Sequence, residues 1–218
     1  MSLNPKKTSE TKKSIRIFWK IFLYGWGAAL FLILIIYLGA FGKLPSIEEL
    51  ENLYDESLEF LGGPVDFVLH SIGMSTNIRK GREYSDLNYE WFLKSLDVSA
   101  LSFHKMMQVA QKKDAIAQGG SVVALSYIAA QRSFPDYTDM AQAKAMLESI
   151  ARSYGYHYGK AKGVRVNTVS QSPTKTTAGT GISGFNAFYE YANQMSPLGN
   201  APAVACADYC VSMFSDLT

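Results

Sequence analysis

The chain has 218 residues, of which 48% are hydrophobic and 18% are charged, and its formal net charge is +2. This length suits one sizeable domain, and the near-balanced charge gives no indication of nucleic-acid binding. The charge is unevenly spread, because residues 1–43 carry seven Lys or Arg against one acidic residue, whereas the remainder carries 14 against 18. The two cysteines, Cys206 and Cys210, are four residues apart on a predicted helix, where disulfide geometry favours reduced thiols that pack as small apolar groups. No histidine lies at a metal-ligand spacing from them, so the sequence predicts no metal site.

The first part of the chain is typical of a membrane anchor. Residues 1–20 form a polar, basic tail, and the 21 residues 21–41 contain no charge, which is enough to cross a hydrocarbon core of about 30 Å. Trp19 and Trp26 lie near one end of this stretch and Tyr37 near the other, as interfacial aromatic residues do. The basic residues before the stretch predict that the tail lies in the cytoplasm. We therefore expect a single-pass membrane protein whose remaining residues lie on the other side.

A capped helix is predicted directly after this stretch. Ser46 and Glu49 form a capping-box pattern, and apolar residues at helical spacing then continue to about residue 60. Gly62 and the residues that follow it favour the end of the helix. Residues 46–61 are thus predicted to connect the anchor to the domain 62–218.

Three apolar runs, residues 65–71, 121–127 and 164–170, predict buried parallel strands. Residues 76–88 are polar and loop-like, and residues 89–111 predict a helix between the first two strands. The apolar stripe of that helix is expected to face the core and consists of Leu93, Leu96, Ala100, Phe103, Met107 and Ala110. A long helix separates the second and third strands. This order predicts the α/β fold class, with a Rossmann-type parallel sheet of about three strands.

One tyrosine and one lysine stand out after the second predicted strand. Tyr137 and Lys144 are seven residues apart, or two helical turns, so their side chains are expected on one helical face. The ammonium group would favour phenolate character in the tyrosine, which could donate a hydrogen bond or proton to an oxygen that gains charge. The alternative is a surface Tyr and Lys on an amphipathic helix. Their place at the carboxyl end of a parallel sheet favours a ligand site.

Five motifs carry a resemblance to a known family. From about residue 53 to residue 218 the chain resembles NADH-dependent enoyl-acyl-carrier-protein reductases of the short-chain dehydrogenase superfamily. The resemblance rests on HSIGMS (70–75), LSYIAAQRSFPDY (125–137), AKAMLESIAR (143–152), GVRVNTVSQSPTKT (163–176) and SPLGN (196–200). Ordinary short-chain dehydrogenases carry the lysine four residues after the tyrosine, where this chain has Ala141. A dehydrogenase that acts on alcohols is therefore the less favoured alternative.

The resemblance implies a reaction and a set of residue roles. The reaction is hydride transfer from NADH to the β-carbon of a trans-2-enoyl thioester carried by acyl carrier protein, followed by protonation of the enolate. The residues with implied catalytic roles are Tyr137, Lys144 and Tyr127. Those with implied contacts to NADH are Ser71, Ile72, Gly73, Ser126, Lys144, Pro173, Thr174 and Thr176. Those implied to line the acyl pocket are Tyr127, Met140, Ala178 and Phe185. The family is cytoplasmic and forms homotetramers.

The stretch 179–184, GTGISG, matches the dinucleotide-binding fingerprint letter for letter but lies too far beyond the third predicted strand to serve as one. We expect these glycines to hinge a lid whose helix, at about 185–195, closes over the acyl chain. An acidic carrier protein would favour basic residues nearby, and since residues 176–195 contain no Lys or Arg, the sequence does not indicate where such a carrier docks.

Measured against the resembled family, the domain is expected to be incomplete at both ends. The first strands, the Gly-rich turn that binds the pyrophosphate and the last strand have no counterpart in the sequence. We therefore expect apolar sheet edges to be exposed, and the 218-residue chain to be aggregation-prone and to show no NADH oxidation with a crotonyl thioester.

A second and weaker resemblance covers residues 1–52, where a basic tail, one span and FGKLPSIEELEN (41–52) are similar to the anchor of class A penicillin-binding proteins. None of that family's catalytic motifs follows. The change from one resemblance to the other falls between residues 48 and 53, inside one predicted helix and without a linker. The alternatives are a membrane-tethered fusion without enzymatic activity, the start of a peptidoglycan synthase without its catalytic domains, and two genes joined during sequence assembly.

Overall fold

The computed structural model describes residues 45–176, 180 and 184–215. In chain order, its longer helices and strands are α1 (Ile47–Leu61), β1 (Val65–His70), α2 (Thr76–Arg79), α3 (Tyr89–Leu96), α4 (Ser102–Lys112), β2 (Ile116–Ser126), α5 (Thr138–Lys162), β3 (Arg165–Ser170), α6 (Phe185–Met195) and α7 (Ala203–Met213). The predicted membrane segment 21–41 and two of the predicted hinge glycines, at positions 179 and 181, lie outside the described residues, whereas the third, Gly184, directly precedes α6. Within the described ranges, no helix has both the length and the apolar character needed to cross a bilayer.

The three strands form a parallel sheet in the order β1-β2-β3. The predicted α/β class and the parallel pairing of the three strands are confirmed. The second strand begins five residues earlier than predicted, at Ile116 rather than residue 121. The register between β1 and β2 shifts at this extension, because Val65 pairs with Ile116 but Phe67 pairs with Ser121. Four β2 residues, 117–120, thus lie opposite the single β1 residue Asp66, which is an excess of three residues on β2.

One hydrophobic core lies between the sheet and helices α1, α4 and α5. Leu50 and Tyr54 of α1 enter this core, and Ser46 caps the helix as the capping-box pattern predicts. Two ion pairs hold α1 to the carboxyl end of α4: Lys112 to Glu51 at 2.6 Å, and Lys113 to Asp55 at 2.7 Å. Because these pairs are exposed, they contribute little energy compared with the apolar contacts beneath them.

The helix predicted over 89–111 is interrupted by a π-helical turn, Asp97–Leu101, between α3 and α4. The apolar positions from Ala100 onward are fully buried as predicted, but Leu93 is 65% exposed. A π turn adds a residue to one helical turn, so the helical face before it is rotated relative to the face after it. The prediction for Leu93 was wrong for this reason, and Ser95 occupies the inward position of α3 instead.

The opposite face of the sheet is covered over β2 and β3 by α7, where Cys210 packs against Val123 and Val169. Strand β1 is at an edge of the described sheet, and its side chains Phe67 and Leu69 are about half exposed, at 50% and 49%. The predicted exposure of apolar side chains at a sheet edge is thus confirmed for β1.

Candidate active site

A cleft of about 310 Å³ opens where the three parallel strands end. The segments that follow β1, β2 and β3 all contribute to its walls, together with the first two turns of α5 and the start of α6. Parallel strands bring their carboxyl ends to one edge of a sheet, and this edge is where open α/β folds bind ligands.

Tyr137 faces this cleft from a short 3₁₀ turn, Pro135–Tyr137, rather than from the helix itself. Helix α5 begins one residue later, at Thr138. The expectation that Tyr137 and Lys144 share one helical face is therefore inexact, although both side chains do line the cleft. Burial raises the pKa of the Tyr137 phenol to about 12. Burial, which disfavours the charged form, thus opposes the effect expected from the neighbouring ammonium, and a phenol with this pKa keeps its proton at neutral pH and can donate a hydrogen bond.

Lys144 extends from the second turn of α5 to the end of β2. Its Nζ donates a hydrogen bond of 2.7 Å to the carbonyl oxygen of Leu125. Burial lowers the pKa of Lys144 to about 8, so the side chain is still largely protonated at neutral pH. A Cβ atom on Gly73 would lie 3.6 Å from Nζ, which shows how closely the backbone after β1 approaches the lysine.

Four aromatic rings pack together as an aromatic wall beside the cleft, and three of them, Tyr127, Tyr137 and Phe188, line it. The ring centroids of Tyr127 and Tyr137 are 4.9 Å apart, and Phe188 of α6 lies 5.8 Å from Tyr127 and 6.5 Å from Tyr137. Phe134 contacts both Tyr127, at 5.6 Å, and Phe188, at 5.5 Å. Burial, with a smaller contribution from Tyr137, raises the pKa of Tyr127, whose hydroxyl is buried without a hydrogen-bond partner in the described part of the chain.

A buried carboxylate lies behind the loop that carries Tyr127. Glu148 accepts hydrogen bonds from Ser126 Oγ at 2.7 Å and from Gln131 Nε2 at 3.1 Å. The Ser126 hydroxyl is therefore already engaged by the protein. These two hydrogen bonds fix the position of the chain directly after β2.

The buried histidine at the end of β1, His70, directly precedes the cleft residue Ser71. His70 Nε2 lies 2.9 Å from Ser102 Oγ, and the ring packs at 5.1 Å from Phe103. Burial, together with the nearby charge of Lys144, lowers the pKa of His70 to about 3. The side chain is thus neutral at physiological pH and does not compete with Lys144 for an anionic ligand.

The structure brings together every predicted site residue that it describes. These residues all line the cleft and are Ser71, Ile72, Gly73, Ser126, Tyr127, Tyr137, Met140, Lys144, Pro173, Thr174, Thr176 and Phe185. Ala178 lies outside the described residues. Their individual roles remain predictions.

Sequence reasoning missed further lining residues, among them Phe188, Ile78 and Arg79. Phe188 follows Phe185 by three residues, so the helical spacing of α6 could have indicated it. Ile78 and Arg79 lie in α2, within a stretch that was predicted to be a loop. No signal in that polar stretch marked them.

A profile of the family described as enoyl-(acyl carrier protein) reductase matches residues 45–218. The chain belongs to this family. The match includes residues 45–52.

Among curated proteins, the chain is 36% identical over 172 residues to the enoyl-[acyl-carrier-protein] reductase [NADH] FabI of Rickettsia bellii, covering 78% of this chain and 64% of that relative. It is 35% identical over 136 residues to the enoyl-[acyl-carrier-protein] reductase [NADH] 2 of Rhizobium meliloti, covering 62% of this chain and 50% of that relative. Among solved structures, the FabI–NADH complex of Alistipes finegoldii shares 64% identity with a TM-score of 0.77, covering 79% of this chain and 61% of that chain. The chain thus spans between half and two thirds of the length of these relatives.

Proposed function

We propose that this site serves the NADH-dependent reduction of an enoyl thioester. The observation that carries the proposal is that Tyr137 and Lys144 line one cleft with Gly73 and Thr174, at the carboxyl ends of three parallel strands. The names of the relatives, which are NADH enoyl-[acyl-carrier-protein] reductases, support the same reaction and an acyl carrier protein as the bearer of the substrate.

The residues present fit the nicotinamide end of NADH. Gly73 keeps the backbone after β1 free of a side chain beside Lys144, where even one added carbon would lie 3.6 Å from Nζ. This leaves room for a ribose whose hydroxyls Lys144 would bind, while Ile72 would contact the nicotinamide. Polar and backbone groups of Pro173, Thr174 and Thr176 would hold its carboxamide and the adjacent phosphate. The bound cofactor supplies a hydride.

Tyr137 would stabilise the charge that develops on the thioester oxygen. A phenol whose pKa is raised to about 12 keeps its proton at neutral pH and donates a hydrogen bond to an oxygen as it becomes an enolate. The buried Tyr127 hydroxyl has no partner among the described residues, which leaves it available to the same thioester group. Met140, Ala178, Phe185 and Phe188 would surround the acyl chain.

Ligand-detected NMR on the 218-residue protein tests the cofactor part of the proposal. Saturation transferred from the protein to NADH should be strongest on the nicotinamide protons and weak on the adenine protons, because the described cleft fits the nicotinamide end. Lys144→Met should weaken the signal, whereas Lys94→Met, which changes an exposed lysine outside the cleft, should leave it unchanged. Absence of NADH binding, or contact mainly through the adenine, would overturn the proposal.

The reaction itself is tested with NADH and a crotonyl thioester in protein that binds NADH. NADH oxidation with a crotonyl thioester should be lost in Tyr137→Phe while NADH binding is retained, because the phenol acts on the substrate oxygen. A Tyr137→Phe variant that keeps the wild-type rate would contradict the role of the phenol. Turnover by the 218-residue chain that Tyr137→Phe abolishes would contradict the expectation, drawn from the sequence, that this chain shows no NADH oxidation.

We also propose that residues 21–41 attach the chain to a membrane, on the strength of their uncharged composition and length. Recovery of the expressed protein in the membrane fraction would support this, and a wholly soluble protein would contradict it. A single long DNA read across the codons for residues 48–53 separates a continuous gene from two joined ones. If the join is absent from the genome, the reductase segment belongs to a gene with its own start.

A further inference from the structure

A fully buried carboxylate lies directly behind the candidate site. Asp139, in the first turn of α5, is 0% exposed and forms no ion pair with any residue that the structure describes. Its charge is offset by four neutral donors, together with the positive end of the helix dipole. Asp139 Oδ1 accepts from Ser75 Oγ at 2.6 Å and Thr138 Oγ1 at 3.1 Å. Asp139 Oδ2 accepts from Ser95 Oγ at 2.7 Å and Asn77 Nδ2 at 3.0 Å.

These donors come from different parts of the fold. Ser75 and Asn77 belong to the segment that leaves β1, Ser95 belongs to α3, and Thr138 begins α5. Ser75 Oγ also accepts the backbone N–H of Ile78 at 3.1 Å, so one hydroxyl connects Asp139 to the first turn of α2. The Asp139 carboxylate thus ties the start of α5 to two separate parts of the fold, residues 75–77 and α3.

The orientation of the Asn77 amide is fixed independently of Asp139. Its Oδ1 accepts the backbone N–H of Asn88 at 3.0 Å, and its Nδ2 donates to the carbonyl of Asn88 at 3.2 Å. The amide therefore presents an N–H to Asp139 and has no freedom to present an acceptor. Asn77 therefore requires an acceptor at the position of Asp139 Oδ2. A carboxylate supplies one in either orientation, because both of its oxygens are acceptors.

The segment that Asp139 holds forms a wall of the cleft. Ile78 packs against Met140 and Ala143 of α5, with Leu96 and Tyr137 at the margin of the same cluster. Ile78 and Met140 both line the cleft, on the side where the proposed acyl chain would lie. A shift of residues 75–78 away from α5 would open this wall and change the acyl pocket.

We infer that Asp139 is a positioning residue: it holds residues 75–78 against the start of α5 and thereby sets the Ile78–Met140 wall of the acyl pocket. The assignment of this wall to an acyl chain rests on the proposed function. The position of the wall is inferred from the hydrogen bonds alone, and it can be measured separately, without a ligand.

Asp139→Asn is the primary test, because it keeps the size of the side chain and replaces one acceptor oxygen with a donor. Asn88 holds the orientation of Asn77, and Ser75 already accepts a hydrogen bond from Ile78. The new amide therefore supplies an acceptor oxygen to one pair of donors and leaves the other pair without an acceptor. Ser75→Ala is the second variant, which removes the link to Ile78 while it leaves the carboxylate in place. Asp66→Asn is the control, since Asp66 is an exposed Asp of β1 and its replacement changes the net charge equally.

The first readout needs no ligand. In methyl-labelled protein, the nuclear Overhauser contact between the Ile78 and Met140 methyl groups should be lost or weakened in Asp139→Asn and Ser75→Ala. The Met107 methyl, which is fully buried in the main core, should keep its chemical shift. An unchanged Ile78–Met140 contact would overturn the inference. Equal disturbance of Met107 would also overturn it, since Asp139 would then be merely structural.

The second readout measures ligand affinity in the same variants, with a crotonyl thioester and NADH as the two ligands. The Kd of a crotonyl thioester should rise about tenfold in Asp139→Asn, which corresponds to the loss of about one buried hydrogen bond, while the Kd of NADH changes less than about twofold. Equal weakening of both ligands, or of neither, would overturn the inference. If wild-type protein binds neither ligand but the methyl contact responds as expected, the proposed function fails and the positioning role stands.

Discussion

Lys144 Nζ donates a hydrogen bond of 2.7 Å to the carbonyl oxygen of Leu125. This bond joins the second turn of α5 to the carboxyl end of β2. The carbonyl belongs to the residue before Ser126, whose own hydroxyl is held by Glu148 one helical turn beyond Lys144. Two consecutive residues at the end of β2 are thus fixed by two side chains on one face of α5. This arrangement orients the ammonium group towards the cleft before any ligand binds.

The buried ammonium makes stability depend on pH. The pKa of Lys144 is lowered from 10.5 to about 8 by burial, so between these values the unfolded chain holds a proton that the folded chain has lost. Folding stability should therefore rise with pH across this interval, since the cost of burying the charge is fully present below about pH 8. The expected gain is about 2 kcal/mol between about pH 8 and about pH 9.5.

Denaturant unfolding of wild-type and Lys144→Met protein at several pH values measures this effect. The gain should be absent from Lys144→Met and preserved in Lys94→Met, which changes an exposed lysine. The buried tyrosines, whose pKa values are raised, oppose the trend only as the pH approaches the ordinary tyrosine value of about 10. Identical slopes for wild type and Lys144→Met would contradict the prediction.

Tyr127→Phe should stabilise the ligand-free protein. The Tyr127 hydroxyl is buried with no hydrogen-bond partner among the described residues, so its removal relieves a desolvation cost of about 1 kcal/mol. The aromatic contacts with Tyr137 and Phe188 remain. Thermal unfolding measures the change, with Tyr191→Phe, a 56% exposed tyrosine, as the control that should show none. A loss of stability in Tyr127→Phe would show that the hydroxyl has a partner.

Ser126→Ala should destabilise the protein by about 2 kcal/mol, because it removes one of the two hydrogen bonds to the buried Glu148 carboxylate. Adding Glu148→Gln should recover part of the loss, since a neutral amide tolerates a missing donor better than a carboxylate does. A double-mutant cycle from urea unfolding gives the coupling energy. Additive effects of the two substitutions would show that the contact between Ser126 and Glu148 carries no energy. Ser149→Ala, at an exposed position of α5, is the control.

Phe188→Ala should weaken the packing of α6 on the site. The ring contacts Phe134, Tyr127 and Tyr137, and its loss should cost about 2 kcal/mol, since the side chain is half-buried rather than fully buried. The near-ultraviolet circular dichroism of the tyrosines should decrease at the same time. Phe188→Leu should recover much of the stability but not the spectrum. If Phe188→Ala leaves both quantities unchanged, the aromatic wall does not form in solution.

The sequence was sufficient for the elements that depend on local pattern. The capping box at Ser46, the parallel pairing of three apolar strands and the bounds of α6 follow from spacing and side-chain type, and all are confirmed. It also predicted the cleft, because parallel strands must end at one edge and the motif residues follow those ends. These features are determined by residues close together in the chain.

Other features were decided by contacts between distant residues. The π turn at Asp97–Leu101 rotates Leu93 out to solvent and Ser95 inward, and helical periodicity alone gave no sign of it. Burial raises the pKa of Tyr137, and because burial depends on the whole fold, the spacing from Tyr137 to Lys144 did not reveal this shift. The partners of Asp139 lie as far away as Ser75, 64 residues earlier in the chain.

The sequence by itself determined the family, the order of strands and helices and the chemical groups that line the cleft, since each depends on residue identity and local spacing. The tertiary structure decided which of those groups are charged, which are paired and which wall each one forms. Burial and hydrogen bonding are set by neighbours that the chain brings together only on folding.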